Sequence, residues 1–431
     1  MSQVTAQAHG ESGSFDSHFG PIDLSPANTT APANWGKGLM GLLLVLGIAC
    51  IGATAAYGFM DGADNATHAW LSYHVGALVA IGLMLGPLGL VLMFRATQAG
   101  WAVTFRRQME NIAGLLPLAA LLILPLAFSG HHVWHWMDPA ARHEMAEAKL
   151  KYLAPGFFWG RVVVYVALWS VMGRRMYTLS RRQDVTGDKG LTNTAQRDSA
   201  WGLLVYGLTT AFAAFDLSMS LDYHWFSTMF GVYFFAGNTV AGVALTVLVL
   251  AMLRSAGVLK GLVTEEHFHD MGKLLLAFTV FWGYIGFSQY FLIWYANIPE
   301  ETAWIVTRTN GGWEILGKTM MFGHFLLPFV ILLFRKVKKT PALLSLFAIW
   351  QIAMHCVDVF WQVRPVLNQA PAGVSDPVSA GRLTVAWVDA TGLLGPVFIL
   401  LALVIWKART GPLIPLKDPR LPEALNHKNY V

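Results

Sequence analysis

Residues 70–94 read WLSYHVGALVAIGLMLGPLGLVLMF, a run without a single Asp, Glu, Lys or Arg. A helix of about 20 mainly apolar residues crosses the roughly 30 Å hydrocarbon core of a bilayer. Inside lipid, every backbone N–H and C=O must be satisfied within the segment, which a helix does and an isolated strand does not. The stretch therefore predicts a transmembrane helix. Nine further segments follow the same rule, at 38–60, 109–129, 156–177, 200–220, 226–252, 271–296, 313–334, 341–363 and 385–406. Tryptophans near the proposed ends, among them Trp70, Trp136, Trp201 and Trp313, suit an interfacial aromatic belt. The reading is an all-α polytopic membrane protein with ten spans.

Composition agrees. Of 431 residues, 55% are hydrophobic and 13% charged, against about 25% charged in a soluble domain. That excludes a soluble globular enzyme. A net charge of +5, with basic residues in short clusters, also excludes a disordered or nucleic-acid-coating chain. Cys50 and Cys356 are too few for a disulfide framework or an iron–sulfur cluster, which takes about four ligands. The stretch Gly47-Ile48-Ala49-Cys50 follows a polar tail and reads as membrane helix, not as a processed signal.

Alternating the connections across ten spans places 22 of the 30 Lys and Arg residues on one side. Cytoplasmic loops hold the basic excess, so both termini are expected in the cytoplasm. The chain then divides into a tail at 1–37, a membrane domain at 38–406 and a second tail at 407–431. The largest loops fall near 130–155, 178–199 and 364–384.

Polar groups inside the spans are few and patterned. Gln351, His355, Asp358 and Gln362 share one helical face of span nine, and Tyr206, Thr209, Asp216 and Ser220 form a stripe on span five. Span seven adds Tyr284, Ser288 and Tyr295 on one face, with Gln289 and Tyr290 beside it. Span eight carries Glu314 and Lys318, an expected self-neutralising pair, and His324. The orientation puts Asp216, His355, Asp358, Glu314 and Lys318 in the outer half. Tyr206, Thr209 and Asn238 are the main polar groups expected in a poorer inner half. Polar side chains can simply join helices through hydrogen bonds, yet serine or asparagine would do that without burying a titratable group. Asp216 and the His355/Asp358 pair are therefore read as functional.

Two chemistries fit them. Histidine and carboxylate can bind the ring oxygens of a quinone and accept protons from quinol, or the same groups can relay protons without a quinone. The candidate residues for either are Asp216, His355, Asp358, His324, Tyr284, Ser288 and Gln289. Two weaker readings are a haem between His324 and His355, for which nothing fixes a common depth, and a metal on the histidine-rich segment 129–136, which lacks a second acidic arm. His131, His132, His135, Asp222 and His224 are read as outer-surface or partner-contact residues. No catalytic residue and no metal ligand are assigned.

Two long motifs carry a resemblance: MSLDYHWFSTMFGVYFFAGN at 219–238 and SQYFLIWYANIPEET at 288–302. GHHVWHW at 130–136, HFLLPF at 324–329 and HCVDVFW at 355–361 extend it over most of the chain. Together they resemble the second ten-helix membrane subunit of bacterial alternative complex III, a distant relative of the NrfD-like polysulfide-reductase membrane subunits. Tyr223 stands where the first motif more often has proline. The resemblance implies two four-helix bundles, spans two to five and six to nine, flanked by spans one and ten. It implies an inner-membrane quinol:cytochrome c oxidoreductase of respiratory or photosynthetic electron transfer. Iron–sulfur clusters and haems would sit in partner subunits, so this chain would hold no redox cofactor beyond a possible quinone. The implied partners are the sister ten-helix subunit, the iron–sulfur subunit, haem c subunits, lipids and a terminal oxidase, but no nucleic acid. Two alternatives stand beside it: a scaffold subunit without its own quinone site, and a secondary transporter, which would favour paired broken helices around a mid-membrane site.

Overall fold

The computed structural model describes residues 14–17, 20–60, 62, 64–143, 145–368 and 382–429. The first 13 residues of the expected tail and residues 369–381 of the expected 364–384 loop lie outside them. Among the described residues, ten helical segments are long and apolar enough to cross a membrane: Lys37–Gly58, Asn65–Ala96, Gly100–Phe128, Pro155–Thr186, Gly190–Leu221, Phe230–Ser255, Glu265–Ala296, Trp313–Leu333, Pro341–Leu367 and Trp387–Ala408. In chain order they are called spans one to ten. The chain is thus an all-α multi-pass membrane protein, apart from a short antiparallel hairpin that pairs Ser14–Ser17 with Gly20–Asp23.

Spans two and six form the centre. Within their most apolar windows 94% and 83% of residues are buried, against 11% in span one. Span two packs against spans one, three, five, six, nine and ten, and span six against spans two, five, seven and nine. Their crossing is close because glycines meet there. A Cβ on Gly86 would come within 2.1 Å of the Asn238 carbonyl oxygen, and one on Gly242 within 2.3 Å of Pro87 Cδ.

Helix ends differ from the sequence reading where charge interrupts hydropathy. Spans four and five run through the expected 178–199 loop and meet at Gly187, whose φ of 70° ends span four in a left-handed cap. Span three starts earlier than residue 109 and is broken, with helices at Val103–Ala113 and Leu118–Ile123 and a 3₁₀ turn at Leu124–Phe128. Pro117 removes a backbone donor at the break. Span seven begins at Glu265, where the Thr264 N–H donates to His267 Nδ1 at 3.0 Å.

Both described tails lie on one face of the molecule, joined by the Leu413 N–H and the Thr29 carbonyl at 2.8 Å. Beneath them is a charged network. Arg95 and Arg106 pair with Glu110, and both also pair with Asp418 of the C-terminal tail. Arg107 pairs with Asp184 at 2.8 Å. This corrects the expectation of a polar-poor half on that side. Each buried charge here has a counter-charge: Arg106 and Arg107 meet Asp418 of the tail and Asp184 of span four, and Glu110 meets Arg95, Arg106 and Arg107.

Candidate functional site

The face of span nine is as its spacing predicts. Gln351, His355, Asp358 and Gln362 are 0, 2, 1 and 4% exposed. Asp358 receives three hydrogen bonds, from the Tyr233 hydroxyl at 2.6 Å, Trp282 Nε1 at 3.0 Å and Gln362 Nε2 at 3.0 Å. Tyr233 lies one turn into span six and Trp282 midway along span seven. Both also line a cavity of about 950 Å³ on the side away from the tails. Asp358 itself stands behind this wall.

The cavity is bounded by spans six, seven, eight and nine and by the helix Pro299–Thr309. Its lining is mainly aromatic and aliphatic. Tyr284 and Phe287, 63% and 64% exposed, form an open edge of the lining on span seven. Arg308 forms a fixed part of the opposite end. Its guanidinium donates to the carbonyls of Trp304, Trp361 and Gln362 and lies 3.8 Å over the Trp304 ring, which stacks on Trp225 at 4.2 Å. Burial lowers the Arg308 pKa to about 9, opposed by the nearby Asp222 carboxylate, so the group stays cationic at neutral pH.

On the other side of Asp358 is a compact polar cluster. A Cβ placed on Gly82 would meet Asn238 Oδ1 at 2.2 Å and His355 Nε2 at 3.2 Å, and one on Gly237 would meet His355 Nδ1 and Asp358 Oδ2 at 3.4 and 3.5 Å. Asn238, assigned to the inner half from sequence, therefore sits beside His355. His324 packs its ring 4.0 Å from Trp282 within a π-helical turn, Met320–Leu326. Among the described residues, neither ring nitrogen of His324 or His355 and neither amide atom of Asn238 has a hydrogen-bond partner. Deeper in, Gln351 donates to the Thr279 hydroxyl at 2.7 Å. So many unpaired buried polar atoms would be costly without water.

Asp216 is elsewhere. It is fully buried between spans four and five, where Arg161 donates to both its oxygens at 2.9 and 2.8 Å and Tyr165 donates at 2.8 Å. Arg161 also stacks on Tyr152 at 3.8 Å. This is a closed ion pair, not part of the Asp358 site.

The remaining candidates divide. Gln289 lines the cavity and accepts from Ser227 at 3.2 Å. The Ser288 hydroxyl turns back to the Tyr284 carbonyl of its own helix. His131 and His135 are exposed on the surface away from the tails, while His132 Nδ1 meets the Thr67 hydroxyl at 2.8 Å. Asp222 accepts from the His224 backbone N–H, and the exposed His224 ring lies 4.2 Å from that of Tyr223. Glu314 and Lys318 do not form the expected pair: Glu314 accepts from the Gly312 N–H at 2.8 Å, capping the start of its own helix.

Sequence reasoning missed Tyr233, Trp282 and Arg308. Tyr233 sits in the first long motif, five residues before Asn238, but its hydroxyl has no periodic polar neighbour to mark it. Among the described residues, no group of three or more His, Cys, Asp or Glu side chains converges as a metal site. No protein-family model and no curated protein matches this chain.

Proposed function

We propose that this chain is a quinone-binding subunit of a membrane electron-transfer complex. The cavity takes the quinone head group, and protons leave it through the Tyr233 hydroxyl to Asp358. The observation that carries this reading is the double role of Tyr233 and Trp282, which line a membrane-facing aromatic cavity and at the same time hydrogen-bond a buried carboxylate. A ring-bearing hydrophobic ligand enters from the lipid, stacks on aromatic walls and finds a hydroxyl with a proton acceptor behind it. Beyond Asp358, His355, His324 and Asn238 form a compartment that water would satisfy, and a proton passed to Asp358 can move on there.

The sequence motifs supply the wider setting: a quinol:cytochrome c oxidoreductase of the alternative complex III type, with iron–sulfur clusters and haems in partner subunits. In that setting the chain lies in a bacterial cytoplasmic membrane with both tails inside, and its spans divide into bundles two to five and six to nine. The basic excess on the tail side supports that orientation.

Two variants test the reading in the assembled complex. Tyr233→Phe and Asp358→Asn are each expected to lower quinol oxidation by about 10²-fold or more, the usual scale for losing a positioned proton acceptor, with subunit content unchanged. Normal turnover and proton release in both variants would identify a scaffold without a quinone site. Purification in mild detergent tests the setting. Multihaem and iron–sulfur subunits should travel with the chain, and its recovery alone would remove the oxidoreductase assignment.

A further inference from the structure

Two cations, Arg308 and Lys318, stand in the wall of the cavity. They differ in availability. Arg308 is 1% exposed and its donors are engaged by three backbone carbonyls. Lys318 is exposed and forms no ion pair or hydrogen bond among the described residues. Its expected partner lies one turn earlier on the same helix, but the Glu314 carboxylate is held by the Gly312 N–H instead. A lysine within a span ordinarily finds an acid, a carbonyl or the interface. This one lines the same cavity as the Tyr233 hydroxyl, which comes from a different span and is backed by the Asp358 carboxylate.

We infer that Lys318 is the second polar anchor of the cavity, donating from Nζ to one ring oxygen of the occupant while Tyr233 contacts the other. The ligand class is then a ring with two oxygen functions, and not a single-headed amphiphile such as a fatty acid. This rests on the quinone reading above and deepens it. Lys318 is a positioning residue for binding. The proton acceptor remains Asp358, reached through Tyr233.

Tryptophan fluorescence gives a direct test, because Trp225, Trp282, Trp304 and Trp361 all line the cavity. The full-length chain in nanodiscs is titrated with a decyl-tailed benzoquinone and, separately, with oleate. Lys318→Met is expected to weaken quinone binding about tenfold or more, as for loss of a hydrogen bond from a charged donor, and to leave oleate quenching unchanged. Lys318→Arg should retain quinone affinity within about threefold, since the donor and charge persist. Equal quinone affinity in Lys318→Met and wild type overturns the anchor while the quinone cavity stands. Saturable quenching of the wild type by oleate alone, with none by the quinone, overturns both. Matching elution profiles of the three proteins exclude a folding defect as the cause.

Discussion

Asp216 and Asp358 are alike in sequence: each is an isolated carboxylate in an apolar span. Their partners separate them. Asp216 meets Arg161, 55 positions away, in a bidentate pair, whereas the three donors to Asp358 are neutral and two of them face a cavity. Removing one member of a buried ion pair leaves a charge uncompensated and costs about 3–5 kcal/mol. Arg161→Leu is therefore expected to lower the melting temperature in detergent markedly, and Arg161→Leu combined with Asp216→Leu to recover most of the loss. Asp358→Asn should cost less than Arg161→Leu, because the amide oxygen can still accept from Tyr233 and Gln362 and only the Trp282 N–H loses its acceptor. An equal loss of stability in Asp358→Asn would make that residue structural. The polar stripe on span nine was legible as a face, since helical spacing alone sets it. Which acid is paired was not, since pairing depends on a second helix.

At the scale of elements, the helix Pro299–Thr309 is the least predictable and the most consequential. It is amphipathic and too short to span, and hydropathy alone leaves it in a loop. Arg308 pins it by donating to carbonyls at the end of span nine while stacking on Trp304 and lying 5.8 Å from the Trp361 ring. Arg308→Ala is expected to raise amide hydrogen exchange across 299–312 by about tenfold or more, with the cores of spans two and six unaffected, because local opening is governed by local contacts. Unchanged exchange would show that the aromatic stack holds the helix without the cation. The π turn of span eight belongs to the same scale. It adds a residue to the turn that carries His324, and no propensity in Met320–Leu326 announces it.

The whole molecule is closed on one face by the C-terminal tail. Gln108 donates to the Leu413 carbonyl, His267 Nε2 meets the Ala424 carbonyl, and Asp418 pairs with Arg106 and Arg95. Burial would raise the Asp418 pKa, but the two guanidiniums and the Arg420 N–H outweigh it and hold the carboxyl below its ordinary value of 3.8. A carboxyl depressed by folding stabilises the folded state above its unfolded pKa, and that contribution disappears as pH falls through the folded value. Hydrogen exchange of residues 411–429, taken relative to the intrinsic rate at each pH, should therefore be slow at neutral pH and speed up below about pH 4. In Asp418→Asn it should already be fast at pH 7, with no further step from this site on acidification. A variant tail as protected as wild type at pH 7 would remove Asp418 as the anchor.

Ten spans and the uneven placement of basic residues were determined by sequence alone. The free energy of putting a helix into hydrocarbon is nearly a sum over its own residues, so each segment declares itself without reference to the others. The limits of the spans failed where that sum breaks down, as at Arg106 and Arg107, neutralised by Asp418, Asp184 and Glu110, and at Glu110, neutralised by Arg95, Arg106 and Arg107. Tertiary structure decided the rest: that Asp216 is closed by Arg161, that Glu314 caps its helix and leaves Lys318 free of it, and that Tyr233 and Trp282 stand between a membrane-facing cavity and Asp358. Pairing, capping and enclosure are properties of two or more helices at once, and packing in three dimensions brings those partners together across 55 to more than 300 residues of chain.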